Sequence, residues 1–288
     1  MAARPKTLPA AVVPVWIGAL PALAGSSVGV AFDVGLFAAT LVSCLFIQIA
    51  TNLFNDAIDS HKGADTERRL GPVRATASGL LSARQVMAGA LVCCALAAAV
   101  ATPMIVARGW LIIAIGVVSL LMAFAYTGGP FPLAYRGMGE LFVILFFGFV
   151  AVIGAWFVQS GRGPGWFQWI TGLQAGLYSS VLIAINNLRD IDEDRLSQKR
   201  TLAVRWGKAF ARREIAVFCI GPVVLSGLLA WLSRDPWMTL PMLTLPLGLM
   251  IARRVFVTEP SPAYNRFLAL GAGQLILFAG LLTVAVLR

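Results

Sequence analysis

Charge is the scarcest property of this chain. Of its 288 residues, only 12% are Asp, Glu, Lys or Arg, while 59% are apolar. A soluble fold of this size carries roughly a quarter charged residues, so an ordinary water-exposed surface is excluded. There is a single histidine, His61, which rules out a histidine-rich metal centre. It is read as a solvated loop residue rather than a base. The four cysteines, Cys44, Cys93, Cys94 and Cys219, fall inside apolar runs without metal-ligand spacing. They exclude a zinc motif and a disulfide framework, and read as small apolar residues. No phosphate-binding glycine loop and no nucleophile elbow occurs, so a covalent mechanism has no support.

Long uncharged runs are plentiful instead. A bilayer-spanning helix needs roughly 17 to 25 mostly apolar residues. Nine runs of about that length appear, near residues 9–30, 34–54, 86–106, 110–126, 141–158, 168–187, 215–233, 236–252 and 267–287. The eighth is the weakest, being short and containing Pro236, Pro241 and Pro246. The expected fold is therefore all-α, a polytopic bundle of about nine transmembrane helices forming one domain over 1–288. The first run follows a short basic segment with no cleavage site after it, and is expected to be retained.

Basic residues test this layout, because short cytoplasmic loops collect Lys and Arg. With the N-terminus inside, nineteen of the 23 basic residues fall on the cytoplasmic side. Only Arg108, Arg162, Arg234 and Arg288 fall outside. The net charge of +10 is thus topological and requires no nucleic acid. The layout predicts an integral protein of the bacterial cytoplasmic (inner) membrane.

Acids are rarer still, and eight of the 13 lie in two places. Asp56, Asp59, Asp65 and Glu67 follow the second run; Asp190, Asp192, Glu193 and Asp194 follow the sixth. Both clusters are on the cytoplasmic side. An ionised carboxylate at the end of an apolar helix is costly without a cation, a partner or a wet cavity. Asn52, Asn55, Asp56 and Asp59 share one helical face, and Asn187, beside Asn186, repeats the spacing with Asp190 and Asp194. Such hard oxygen donors suit magnesium, which completes its shell with substrate phosphate. Two such faces can clamp a diphosphate. Asp192, Glu193 and Glu67 are left to pair with neighbouring cations.

The basic residues beside the acids sharpen this reading. Arg68, Arg69 and Arg74 follow the first cluster, and Lys199, Arg200 and Arg205 the second. Cations there can neutralise a leaving diphosphate. Arg195, Lys208, Arg212 and Arg213 are assigned to topology alone. Phe142, Phe146, Phe147, Trp156 and Phe157 are aromatic candidates for shielding a carbocation. The placement of the clusters four helices apart suggests two related halves, helices 1–4 and 5–8, followed by a ninth helix. An ion transporter is the rival class, although its acids are expected near the membrane midplane. A phosphatidyltransferase would need Asp-Gly and Ala-Arg pairs between the acids, and these are missing.

These motifs resemble those of the UbiA-type intramembrane prenyltransferases, over essentially the whole chain. The family's first motif, NDxxDxxxD, matches Asn55, Asp56 and Asp59, with its last Asp falling on Gly63 and the nearest acid at Asp65. The second, DxxDxxxD, matches Asp190 and Asp194, with Asn187 in place of the first Asp. Within the family the chain is most similar to the 1,4-dihydroxy-2-naphthoate polyprenyltransferases of menaquinone synthesis. Four stretches carry that likeness: RPKTLPAAVVPVWIGA, NDAIDSHKGADTERRLGPVR, AYTGGPFPLAYRGMGE and NNLRDIDEDRLSQKRTLAVRWG. Gln198 stands where that group tends to have Gly.

The resemblance implies that Asp59, Asp190 and Asp194 are catalytic. With Asp56, and helped by Asn55 and Asn187, they would hold two Mg2+ ions bridging a polyprenyl diphosphate. The small aromatic acceptor would be alkylated with loss of CO2, giving demethylmenaquinone. Tyr135, Arg136 and Lys62 are candidates for acceptor binding or proton handling. Another acceptor, such as 4-hydroxybenzoate, homogentisate, haem or a chlorophyllide, is the alternative within the family.

Overall fold

The computed structural model describes residues 7–25, 29–61, 70–71 and 74–288, with His61 described in its backbone alone. Lys62, Asp65, Glu67, Arg68 and Arg69 lie outside the described residues. No strand occurs among the described residues. The chain runs through α1 (Pro9–Leu23), α2 (Val34–His61), α3 (Ala83–Val100), α4 (Thr102–Arg108) and α5 (Trp110–Ala125). A 3₁₀ turn, Leu133–Arg136, leads to α6 (Gly139–Val143), a π-helical turn (Ile144–Val150) and α7 (Ala151–Ser160). Then follow α8 (Trp166–Arg189), α9 (Ile191–Leu196), α10 (Leu202–Ser233), a 3₁₀ segment (Pro236–Thr244), α11 (Leu245–Val257) and α12 (Tyr264–Leu287).

Six of these stretches are long and apolar enough to cross a membrane: Val34–Ser60, Ala83–Arg108, Gly139–Ser160, Leu202–Ser233, Pro236–Val257 and Tyr264–Leu287. Pro9–Leu23 and Trp110–Ala125 are apolar but shorter. α8 occupies the sixth expected run but is more polar, burying Gln168, Thr171, Gln174, Ser179, Ser180 and Asn187. Its polar groups face protein rather than lipid, so its hydropathy understates its depth in the bundle.

Several boundaries differ from the expected ones, for local reasons. The first helix stops at Leu23, ahead of the left-handed Gly25. The second continues to His61 and so carries the whole Asn52–Asp59 face. Ser82 caps α3 through a capping box with Gln85, starting it earlier than expected. The eighth run opens as a 3₁₀ segment because Pro236 and Pro241 withhold backbone donors. Gly207 (φ 81°, ψ 173°) breaks α10 after one turn.

Close backbone approaches hold the bundle together, as small residues do between membrane helices. A Cβ built on Gly148 of the π turn would sit 2.5 Å from the Gly172 carbonyl oxygen of α8 and 3.0 Å from Gly176 Cα. The main core joins α1, α8, α10 and α12 through Ile17, Leu20, Tyr178, Ile185, Ile215 and Phe278. The outside is apolar: Val106, Val224 and Trp231 are among the most exposed side chains. Such a surface suits acyl chains rather than water.

Candidate active site

The last two turns of α2 carry the first acids, and two partners from other segments hold them. Asp59 accepts from Arg74 Nη2 at 2.7 Å and from the Tyr135 hydroxyl at 2.8 Å. Arg74 Nη1 also donates to the Asn55 carbonyl at 2.6 Å. The Thr127 hydroxyl donates to Asn55 Oδ1, and Asn52 Nδ2 donates to Thr7 Oγ1 at 3.3 Å. Asp56, expected in the metal set, also holds backbone. Its carboxylate accepts the backbone N–H groups of Ala75 and Thr76 at 3.1 and 3.2 Å, together with the Thr76 hydroxyl. Both oxygens accept hydrogen bonds from the turn after Arg74, so Asp56 also clasps that turn.

The second acids stand where α8 ends. Asp190 leaves the helical conformation (φ −96°, ψ 14°) and caps α9. Arg189 grips its carboxylate with Nε and Nη2, both at 2.7 Å. Such a two-point grip is the strong form of charge-assisted hydrogen bonding. Arg189 Nη1 reaches Asn265 Oδ1 at 2.7 Å, and Asn265 Nδ2 donates to the Leu70 carbonyl at 3.2 Å. This chain of contacts ties the loop of the first motif to the second. Asp194 lies 3.5 Å from Lys199 Nζ through Oδ1, and its Oδ2 is buried without a hydrogen-bond partner among the described residues.

Tyr135 joins the two halves. Its hydroxyl serves Asp59, its carbonyl accepts the Arg200 N–H at 3.1 Å, and Lys199 Nζ stands 5.9 Å from its ring centre. Burial pushes the Asp194 carboxyl up to about 6; Lys199 opposes this, and the charges of Asp190 and Asp59 add to it. Burial also raises the Tyr135 phenol, with Asp59 contributing. Burial by itself would lower the Lys199 ammonium, but the Asp194 and Asp59 carboxylates outweigh it and hold it above the ordinary lysine range. The acids of both motifs therefore face one another across Lys199, Arg74 and Tyr135.

The other expected residues make contacts of their own. Arg205 donates to the carbonyls of Arg200 and Arg136 at 3.1 and 2.9 Å, fastening the Leu133–Arg136 turn to the segment before α10. Arg136 stacks over the Phe131 ring at 3.7 Å. Arg200 is exposed. Asn186 contributes its carbonyl to the N–H of Asp190 at 3.0 Å. Asn187 Nδ2 donates to Glu140 Oε1 at 2.7 Å. Arg189, Thr127 and Glu140 escaped the sequence reading. For Glu140 a signal was present, because an acid inside the apolar run GELFVILFF is functional by default.

No group of three or more His, Cys, Asp or Glu converges to metal distance among the described residues. The donor chemistry nevertheless fits magnesium, with hard carboxylates from two helices and one buried oxygen, Asp194 Oδ2, lacking a partner. Beside the acids, an apolar cavity of about 150 Å3 runs along α2 from Thr51 to Thr40, a distance of roughly 16 Å at the helical rise. Phe142, Phe146 and Phe147 are among the side chains that line it. The first two stack at 4.4 Å and 19°. Trp156 and Phe157 lie elsewhere, packed with Ala22 and Val30 and with Leu36 and Met104 respectively.

The model of the UbiA prenyltransferase family matches residues 11–285. The chain is 34% identical over 274 residues to the 1,4-dihydroxy-2-naphthoate octaprenyltransferase of Escherichia coli (strain K12), covering 91% of this chain and 86% of that protein. It is 32% identical over 244 residues to the enzyme of the same name from Bacillus subtilis (strain 168), covering 84% and 77%. In fold it is similar to a UbiA homolog from Aeropyrum pernix K1, with TM-score 0.73, 15% identity and 98% of each chain covered. It is also similar to a UbiA homolog from Archaeoglobus fulgidus bound to DMAPP and Mg2+, with TM-score 0.66, 15% identity and 99% and 97% covered.

Proposed function

The chain belongs to the UbiA prenyltransferase family, and from that premise we propose that it transfers a polyprenyl group from polyprenyl diphosphate to 1,4-dihydroxy-2-naphthoate. The observation that carries the reading is the cleft in which Asp59 and Asp194 face each other across Lys199 and Tyr135, beside an apolar cavity. A diphosphate head and an isoprenoid tail need those two environments side by side.

In this reading Asp59, Asp190 and Asp194, assisted by Asn55, Asp56 and Asn187, would hold two magnesium ions. When bound, magnesium supplies positive charge against the leaving diphosphate. Arg74 and Lys199 lie between the acids and take up the remaining phosphate charge. Tyr135 orients Asp59 through its hydroxyl. The stacked rings of Phe142 and Phe146 offer their faces to the positive charge that develops as the allylic C–O bond breaks. The surrounding helices keep water from that cation. The acceptor carbon bearing the carboxylate forms the new C–C bond as the diphosphate leaves, the C–CO2 bond breaks with its electron pair returning to the ring, and the hydroquinone demethylmenaquinol results, the reduced form of demethylmenaquinone. Residues 1–288 act as one membrane domain of nine spans, with the N-terminus and the acids on the cytoplasmic side of a bacterial inner membrane.

The test is a panel of acceptors offered to the purified protein with polyprenyl diphosphate and magnesium, with product masses read directly. Dihydroxynaphthoate should give a prenylated product lighter by CO2. Turnover confined to hydroxybenzoate or homogentisate would overturn the acceptor assignment.

A further inference from the structure

Glu140 is 3% exposed in an apolar stretch of α6, where an unneeded carboxylate would be costly. Its Oε1 accepts from Asn187 Nδ2 at 2.7 Å, while its Oε2 is buried with no hydrogen-bond partner among the described residues. Asn187 is one turn before Asp190 and is the position at which the second motif has an amide instead of an acid. A carboxylate can only accept hydrogen bonds, whereas an amide has a donating end and an accepting end. Glu140 therefore binds the Asn187 NH2 group and leaves Oδ1 as the free end of that side chain. A glutamine at 140 could donate as well as accept, and the polarity of Asn187 would no longer be specified.

From this geometry we propose that Glu140 is a positioning residue: acting through Asn187, it fixes that amide with its oxygen toward the magnesium–diphosphate site. Glu140 thus sets a carboxyl behind the Asn187 amide, on another helix. A charged acceptor behind a neutral oxygen ligand both orients the ligand and strengthens its dipole. The inference rests on the proposed function, because it presupposes that Asn187 faces a metal-bound diphosphate.

The polarity argument predicts a charge swap. Glu140→Gln removes the obligate acceptor. Asn187→Asp sets two carboxylates against each other, where like charges oppose joint ionisation. The double variant Glu140→Gln/Asn187→Asp reverses the pair, with the amide now donating from 140 and a carboxylate oxygen turned to the cleft.

The experiment measures magnesium-dependent binding of geranyl diphosphate calorimetrically, without acceptor, on detergent-solubilised full-length chains shown to be monodisperse. Each single variant should bind about tenfold more weakly, and the double variant should recover to within about threefold of wild type. Wild-type binding with Glu140→Gln unchanged, or a double variant no better than Asn187→Asp alone, would overturn the inference. If Glu140→Gln does not fold, the comparison of Asn187→Asp with the double variant decides by itself. A wild-type chain that binds no magnesium–diphosphate would instead sink the proposed function, and this inference with it.

Discussion

At the residue scale, the site is built from carboxylates that each have a cation or hydroxyl in place. Asp59 has Arg74 and Tyr135, Asp190 has Arg189, and Asp194 has Lys199. Tyr135→Phe deletes one hydrogen bond to a buried carboxylate, worth about 1.5–3 kcal/mol. Turnover should fall roughly tenfold to a hundredfold, with the folded fraction unchanged by size-exclusion; unaltered kinetics would remove Tyr135 from the site. Arg74→Ala leaves Asp59 buried without its ion-pair partner, which costs about 3–5 kcal/mol. Thermal unfolding in detergent should show a large drop that Arg74→Lys largely restores. The sequence contained the acids, but not which of them would be spent on backbone. Asp56 and Asp59 share a helix face and differ only in what folds over them. Asp56 meets the turn Ala75–Thr76 and Asp59 meets side chains, a distinction set by tertiary contact.

At the scale of elements, apolar run length was enough to predict an all-helical membrane fold, because the bilayer imposes a minimum length and a backbone with no unsatisfied groups. Capping and glycine chemistry then decided the ends, as at Ser82 and Gly207. The π turn had no visible signal, since Ile144–Val150 is uniformly apolar and periodicity does not separate π from α. Its cause is the approach of Gly148 to Gly172 and Gly176, a contact between residues far apart in sequence. A methyl at Gly148 meets backbone, which cannot step aside. Gly148→Ala should destabilise by about 1–3 kcal/mol and displace Phe146 and Phe147 from the cavity wall. Gly227→Ala, with open space around the glycine, should leave the melting temperature unchanged. Equal melting temperatures for both variants would refute the close-packed π turn.

At the scale of the whole molecule, the asymmetry of Lys and Arg carries the orientation. In a cysteine-free background, Ala77→Cys should react with a membrane-impermeant maleimide only from the cytoplasmic face, and Gly163→Cys only from the opposite face. Labelling of both from one side would break the nine-span layout. The proposed orientation puts both acid motifs on one side, as a substrate with a single charged head requires.

The most direct measurement is prenyl transfer to dihydroxynaphthoate by the purified chain, its Asp59→Ala and Asp190→Ala variants, and the wild type with magnesium chelated. Wild-type product should appear, and each of the other three preparations should lose at least about a hundredfold of the rate, with magnesium restoring the chelated sample. Undiminished transfer by either variant, or by the chelated enzyme, would contradict a diphosphate clamp built from the two facing motifs.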